Sequence, residues 1–206
     1  MFRKANPVWE KDKSAEKNYE LYFRCQLGKQ TGVTLRIATS CEYQLWINGI
    51  FIAFGPAKAA HGFFKVDTVL LDGYLHEQIN TVVLKTVSAN INSFAVLDQP
   101  PFVTAEILCG DACAVWTGNA GGFYPYYLGT RIQKVQRYSY QRTFTEIYHL
   151  SEGEKGFFLG AGNWEPVPIA IVEPKQYIPR DVRFSQYKDT PADRIVGQGT
   201  VDFLQG

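Results

Sequence analysis

The fold of this chain is indicated most strongly by the stretch Ala38-Thr-Ser-Cys-Glu-Tyr-Gln-Leu-Trp-Ile-Asn-Gly-Ile-Phe-Ile-Ala-Phe-Gly-Pro56. The dipeptide Asn48-Gly49 tolerates the positive φ angles of a type I′ turn, whose twist matches the antiparallel strands on either side. The first strand alternates between an apolar set and a polar set that includes an indole: Tyr43, Leu45 and Ile47 against Glu42, Gln44 and Trp46. Such alternation predicts a half-buried β-hairpin.

Further strands are predicted along most of the chain by the same alternation. They are residues 19–27, a strand with Val33, Leu35 and Ile37 on its apolar face, residues 63–71, residues 79–88, a hairpin of residues 102–109 and 112–117, and residues 131–148 as one long strand or two short ones. Helical periodicity is nearly absent, and only residues 72–78 are expected to hold a helical turn, with Asp72 as its cap. Many short strands separated by turn residues favour an all-β fold, an antiparallel β-sandwich or jelly roll. In that fold Tyr43, Leu45, Ile47, Leu35 and Ile37 belong to the core.

The regular alternation of apolar and polar residues is interrupted from residue 173 onward, which suggests a domain boundary there. Residues 1–172 are expected to form the β-sandwich domain. Residues 173–206, interrupted by Pro174, Pro179 and Pro191, are expected to be a linker or a terminal strand that leads to a following domain. Within them, residues 195–204 predict either a strand without a partner of its own or a strand that returns to the sandwich.

Composition narrows the classes of function. The 206 residues, 46% of them apolar and 15% aromatic, suffice to bury a substantial core. The 21 basic and 20 acidic residues are scattered, which favours neither a nucleic-acid nor a membrane partner. No apolar run approaches the roughly 20 residues that span a bilayer. The first residues lack the apolar core of a secretory signal, so the compartment stays open between the cytoplasm and export with the signal removed.

Neither a cofactor nor a metal site is expected. Four cysteines, Cys25, Cys41, Cys109 and Cys113, are too few for a disulfide-dense scaffold and are expected to be buried or half-buried free thiols. Cys109 and Cys113 flank an expected hairpin turn, which leaves open whether they pair. The histidines have no partners at metal-ligand spacing. The glycine-rich residues 118–122 are not followed by a helix, so they predict a flexible loop rather than a phosphate site.

A family resemblance begins in the same stretch. Residues 38–55, followed by Pro56-Ala-Lys-Ala-Ala-His61 and Asp67, resemble the first conserved block of the amino-terminal β-sandwich domain of bacterial α-L-rhamnosidases, glycoside hydrolase family 78. Similar blocks occur in other galactose-binding-domain-like jelly rolls attached to glycosidases. Leu75 and Asn80 match the next block of the family, whereas Gln78 stands where that block usually has a glycine.

Later blocks keep the order and approximate spacing of the family. Arg137-Tyr-Ser-Tyr-Gln-Arg142 with Glu146 and Tyr148 is similar to its tyrosine-rich block. Trp164-Glu-Pro-Val167 and Ile178-Pro-Arg-Asp181 are similar to the segments through which the family's chain enters its next domain. The resemblance therefore covers most of the chain.

What the resemblance implies for activity is mostly negative. Family members hydrolyse terminal α-L-rhamnose with inversion, using two carboxylates in a separate (α/α)6 barrel, and no segment of this chain resembles that barrel. Inversion needs two carboxyl groups roughly 6.5 to 9.5 Å apart, and Glu106, Glu146 and Glu165 are expected to be scattered acids. The resemblance thus implies a module without catalytic residues that supports a catalytic domain. The expected partners are following domains of the same polypeptide and, further, a rhamnose-containing glycan.

Aromatic side chains are the remaining functional candidates, because sugar rings pack C–H groups on Trp and Tyr while polar neighbours bind the hydroxyls. The candidates for carbohydrate or interdomain contact are Trp46, Trp116, Tyr124, Tyr126, Tyr127, Arg142, Glu146 and Trp164. An alternative function uses the same residues. In it, the chain is an independent, lectin-like carbohydrate-binding module with a sugar site on its aromatic loops.

Overall fold

The computed structural model describes residues 1–187 and 190–200, and nearly all its regular structure is β. In the described residues the strands are β1 Val8–Glu10, β2 Tyr19–Gly28, β3 Val33–Thr39, β4 Glu42–Ile47, β5 Ile50–Gly55, β6 Phe63–Leu70, β7 Ile79–Ser88, β8 Val103–Cys109, β9 Ala112–Trp116, β10 Tyr124–Tyr126, β11 Ile169–Ile171 and β12 Gln176–Pro179. A short α-helix, α1, spans Glu152–Phe158. No helix in the described part of the chain is long and apolar enough to cross a membrane.

The strands form two sheets. In the five-stranded sheet of the described residues the order is β10-β2-β7-β4-β5; in the seven-stranded sheet it is β11-β1-β8-β3-β6-β12, with β9 added beside β8. Neighbouring strands are antiparallel except that β12 runs parallel to β6. Apolar side chains from both sheets form one buried cluster between them. The predicted β-sandwich is confirmed.

The central hairpin is confirmed in its register and its turn. Ile47 pairs with Ile50 across the turn, and Asn48 and Gly49 have φ angles of 50° and 77°. The Asn48 side chain accepts a hydrogen bond from the Thr81 amide at 2.9 Å, which ties the turn to the start of β7. The predicted core residues Tyr43, Leu45, Ile47, Leu35 and Ile37 are all almost fully buried.

Most predicted strands are also confirmed, since β2, β3, β6, β7 and the β8–β9 hairpin lie within a residue or two of the expected bounds. The four cysteines are free thiols. In the β8–β9 register Cys109 lies opposite Ala112 and Cys113 opposite Leu108, so the two thiols do not face each other.

The prediction of strand structure in residues 131–148 is wrong. This segment forms only isolated bridges, Arg131 with Tyr148 and Arg137 with Phe144. Side chains rather than a neighbouring strand bind several of its carbonyls, and the Asn18 amide donates to two consecutive ones at 3.1 Å. The Arg137 guanidinium likewise donates to the Arg142 carbonyl of the same segment and to the Asn92 carbonyl of a distant one. Alternation alone does not supply a strand with a partner.

The helical turn predicted for residues 72–78 is confirmed only as a short 3-10 helix over Asp72–Tyr74. Asp72 does not cap it. Its carboxylate instead accepts hydrogen bonds from the backbone amides of Gly32 and Val33 at 2.9 and 2.7 Å. These hydrogen bonds lower the pKa of Asp72 and join the β2–β3 turn to the end of β6.

The segment after residue 172 contacts the seven-stranded sheet through β12. Beyond that strand the Arg180 guanidinium lies 3.0 Å from the buried carboxylate of Asp67, which also accepts a hydrogen bond from the Tyr43 hydroxyl at 2.5 Å. Burial raises the pKa of Asp67, and these two partners oppose that effect. Of the expected terminal strand at residues 195–204, residues 195–200 form no strand and residues 201–204 lie outside the described residues.

Candidate functional site

The outer face of the five-stranded sheet, the face turned away from the sandwich core, carries polar and aromatic side chains in register. Across this sheet Tyr126 pairs with Tyr22, Tyr22 with Lys85, and Lys85 with Gln44. Cross-strand partners point to the same side of a sheet. Four strands therefore place this row of side chains on one surface.

Helix α1 covers part of this surface and was not predicted. It begins after Ser151, whose side chain accepts a hydrogen bond from the Glu154 amide at 3.2 Å. The pattern Ser151-x-x-Glu154 is the sequence signature of a capping box. It is the feature of the sequence that could have predicted this helix. The helix has only seven residues, two of them glycines, so hydrophobic periodicity could not reveal it.

An aromatic cluster anchors the helix to the sheet. Phe157 is fully buried, and its ring lies 5.6 Å from that of Tyr22, 5.2 Å from that of Tyr126 and 5.5 Å from that of Trp164, in edge-to-face arrangements. The Arg24 guanidinium stacks 4.3 Å from the Phe157 ring centroid. These contacts form a second, smaller core on the outside of the sandwich.

A charged cluster lies beside the aromatic one. The Lys85 ammonium is 3.3 Å from carboxylate oxygens of both Glu20 and Glu154, and the Tyr22 hydroxyl is 2.7 Å from each carboxylate. The Lys85 and Glu154 side chains are only 12% and 13% exposed. Burial, with the nearby Glu20 charge as the next cause, raises the pKa of Tyr22 far above its usual range. Since an unpaired buried charge is costly, the cluster holds α1 in one position.

A groove runs between α1 and the β4–β5 turn, with a volume of about 630 Å³. Trp46 is half-buried along it, and its ring lies 5.1 Å from Phe158 and 5.4 Å from Phe51. The indole N–H donates to Gln44 at 3.2 Å, which orients the ring. Lys85 and Glu154 belong to the polar part of the lining, and Leu150 and Leu159 belong to the apolar part. This groove is the candidate binding site.

The structure brings together three of the sequence-predicted site residues. Trp46, Tyr126 and Trp164 all belong to the outer cluster, with Tyr126 buried and the two indoles half-buried. Trp116 lies on β9 of the other sheet, where the Lys4 ammonium is 4.4 Å from its ring centroid. Sequence reasoning missed Phe157, Phe158, Lys85 and Glu154, which join these aromatics.

The remaining predicted site residues lie elsewhere. Tyr124 and Tyr127 are exposed, and Tyr127 stacks on Tyr19 at 5.2 Å. Arg142 is exposed, and its carbonyl accepts from the Arg137 guanidinium. Glu146 is 64% exposed and 3.7 Å from Arg131. None of these four side chains lines the groove.

The acids considered for catalysis have separate surroundings. Glu106 is fully buried in β8 and accepts hydrogen bonds from the backbone amides of Arg3 and Lys4 at 2.8 and 3.1 Å. Glu146 faces solvent beside Arg131, and Glu165 is exposed. Among residues 1–187 and 190–200, no group of three or more His, Cys, Asp or Glu side chains is placed to hold a metal ion.

Comparisons with known proteins identify similar structures but no similar sequence: no family model and no curated protein matches the chain. A rhamnosidase of family GH78 from Bacillus sp. GL1 superposes with a TM-score of 0.76 at 20% identity, over 89% of this chain and 20% of that one. An α-L-rhamnosidase from Dictyoglomus thermophilum superposes with a TM-score of 0.58 at 17% identity, over 85% of this chain and 22% of that one. The chain thus spans about a fifth of the length of either enzyme, and the resemblance suggested by the sequence is confirmed at the level of the fold.

Proposed function

We propose that this chain is a non-catalytic amino-terminal β-sandwich module of an α-L-rhamnosidase-like glycoside hydrolase. The observation that carries the proposal is the superposition on one fifth of the Bacillus enzyme over nearly the whole of this chain. The sequence blocks that resemble glycoside hydrolase family 78 support it independently. In this proposal the module stabilises the catalytic domain, and its partners are following domains of the same polypeptide.

The contacts of the buried carboxylates support a role without catalysis. Inversion needs two carboxyl groups roughly 6.5 to 9.5 Å apart, with room between them for a sugar and a water. Glu106 is enclosed by backbone amides and paired with Arg36 at 3.5 Å, and Asp67 is paired with Arg180. Glu20 and Glu154 share Lys85 and Tyr22. Each of these buried acids is engaged by protein groups.

A turnover assay tests the non-catalytic role. The purified chain is expected to release no nitrophenol from 4-nitrophenyl α-L-rhamnopyranoside. Turnover that persists through repurification and disappears in Glu146→Gln or Glu165→Gln would overturn the proposal. Glu173→Gln, which removes an exposed carboxylate of the carboxy-terminal segment, is the matched control.

A second test concerns the supporting role. The coding sequence after Gly206 is expected to encode an (α/α)6 barrel, and deleting the module from that longer protein should lower the melting temperature of the barrel. A coding sequence without any hydrolase domain would contradict the proposal.

The second candidate function is an independent carbohydrate-binding module, and the groove beside Trp46 favours it. A half-buried indole next to a lysine and a carboxylate is suited to a sugar ring. This function predicts saturable glycan binding by the isolated chain, whatever domains follow it. A chain that binds no glycan and stabilises a following barrel fits only the first candidate.

A further inference from the structure

We infer that the groove between α1 and the β4–β5 turn is the surface on which the following domain of the same polypeptide docks. The inference rests on the proposed function and names the surface through which the module supports its catalytic domain. Two observations carry it. The described chain leaves the sandwich beside this groove, and the buried charges of the groove are already paired within the module.

The first step is the course of the chain after β12. Beyond this edge strand of the seven-stranded sheet, Phe184 packs against the core between the sheets, and the Arg180 guanidinium lies 3.9 Å from its ring centroid. Three residues later the Tyr187 ring lies 4.9 Å from that of Phe51 on β5, the edge strand of the five-stranded sheet. The chain therefore crosses from one sheet to the other along the side of the sandwich.

A row of aromatic rings continues from this point into the groove. The ring centroid of Phe51 lies 5.4 Å from that of Trp46, and that of Trp46 lies 5.1 Å from that of Phe158 on α1. Together with Tyr187, which is 48% exposed, these rings form the aromatic row. The polypeptide after Tyr187 starts at one end of this row. A domain connected to it is thus held near the groove at a high effective concentration.

The second step is the pairing of the charged groups in the groove. The Lys85 ammonium is 3.3 Å from carboxylate oxygens of both Glu20 and Glu154. It also lies 4.3 Å from the ring centroid of Tyr148. A lysine ammonium has three N–H donors, so these three partners account for all of them. Glu154 in turn accepts hydrogen bonds from Lys85 and from the Tyr22 hydroxyl. The groove therefore offers an occupant mainly its apolar side chains.

The third step is the exposure of those apolar side chains. Leu150 and Leu159 line the groove and are 88% and 59% exposed, although leucine is among the residues that are most often fully buried. Next to them Glu152 and Lys155 form an exposed ion pair at 3.9 Å. Apolar and aromatic side chains surrounded by a polar rim are typical of a protein interface. The occupant that fits is an apolar surface of the following domain.

A glycan and a second copy of the chain are less favoured occupants. Sugar hydroxyls would lose hydrogen bonds to water without gaining free partners in the groove, so the inference follows the first candidate function rather than the second. A second copy has to reach the groove by diffusion, whereas the following domain is tethered beside it.

The test compares hydroxyl-radical footprinting of the 206-residue chain with that of the longer protein that its gene encodes. Oxidation of Leu150, Leu159 and Tyr187 is expected to be at least about fivefold slower in the longer protein, because the core of an interface excludes water. Leu70, a leucine that is 72% exposed on β6, is the matched control and should be oxidised at the same rate in both. Equal rates at the groove would overturn the inference.

The variant Leu150→Asp tests the docking directly. In the longer protein the new carboxylate would be buried without a partner, so the oxidation rates of Leu159 and Tyr187 should rise to those of the 206-residue chain. In the isolated chain an acidic residue just before the amino end of α1 is favourable, and the melting temperature should not fall. Leu70→Asp is the matched control and should leave the groove protected. A groove that stays protected in Leu150→Asp would contradict the inference.

These outcomes differ from those that test the proposed function. If deletion of the module destabilises the barrel while the groove is oxidised equally in both proteins, the module acts through another surface and only the inference fails. A gene without a following domain would remove both. Protection of Leu150 and Leu159 in the 206-residue chain, on addition of a glycan or at a concentration at which the chain dimerises, would overturn the inference and identify the other occupant.

Discussion

The two faces of the five-stranded sheet differ in the way they are buried, although they belong to the same strands. The inner face carries apolar residues such as Leu21, Leu45 and Leu84, which pack against the second sheet. The outer face carries Glu20 and Lys85, which are buried by a short helix from a distant part of the chain. Strand alternation identifies the first kind of burial and is silent about the second.

The difference has an energetic consequence. Apolar burial is non-directional and scales with area, so the inner face depends mainly on size and shape. The outer face depends on particular partners, since Lys85 is balanced by two carboxylates and Phe157 by a ring of aromatics. Removing one member there leaves others unpaired. The inner face should therefore govern overall stability, and the outer face the position of α1.

The largest effect is expected for Leu45→Ala on the inner face. Leu45 is fully buried, so truncation should cost about 2 to 5 kcal/mol of unfolding free energy, measured by denaturant titration. Ile50→Ala, at a largely exposed position of the same hairpin, is the control and should cost less than about 0.5 kcal/mol. A Leu45 variant as stable as this control would reverse the assignment of the two faces.

A somewhat smaller loss, about 3 kcal/mol, is expected for Phe157→Ala on the outer face. The ring is fully buried, but undocking of the seven-residue helix alone limits the loss. Hydrogen exchange should show increased opening of α1, with little change in β3 and β8. Lys155→Ala on the same helix, at an exposed position, is the control. Uniform destabilisation of both sheets would mean that the outer cluster is part of one cooperative core.

Gly49→Val tests the turn between β4 and β5. Gly49 has a φ of 77°, and an added Cβ would lie 3.0 Å from Leu159 Cδ2. A β-branched residue avoids this backbone region, so the expected cost is about 1 to 3 kcal/mol in thermal or denaturant melts. Gly73→Val is the control, since a Cβ there meets nothing within 4 Å. Equal stability of the two variants would rule out the type I′ turn.

The smallest perturbation is a chemical one, the alkylation of thiols at pH 8. Cys25 and Cys41 both belong to the buried core between the sheets; burial raises the pKa of Cys41 to about 12 and that of Cys25 above its usual range. Both should remain unmodified in the native protein, because the thiolate is the reactive form. Half-buried Cys109 and Cys113 should react slowly. Mass spectrometry counts the modified sites. Urea-unfolded protein, in which all four thiols should react, is the control. Native labelling of Cys25 would show that the inner face opens readily.

The comparison of sequence with structure follows the same division. The β4–β5 hairpin could be predicted because its turn chemistry and alternation are local, and both point to one register. Residues 131–148 alternate as well, yet they form only isolated bridges, and the side chains of Asn18 and Arg137 bind some of their carbonyls instead. Pairing is a property of two segments and not of one.

By itself the sequence determined the two-sheet fold, the core residues of β3 and β4 and the Asn48-Gly49 turn, since each depends on the backbone preferences and side-chain alternation of neighbouring residues. Tertiary structure alone decided that Lys85 meets Glu20 and Glu154, and that Phe157 brings Tyr126 and Trp164 together. Most of these contacts join residues separated by tens of positions through charge pairing and ring packing, which have no period along the chain. The groove beside Trp46 exists only because α1 folds back over the sheet.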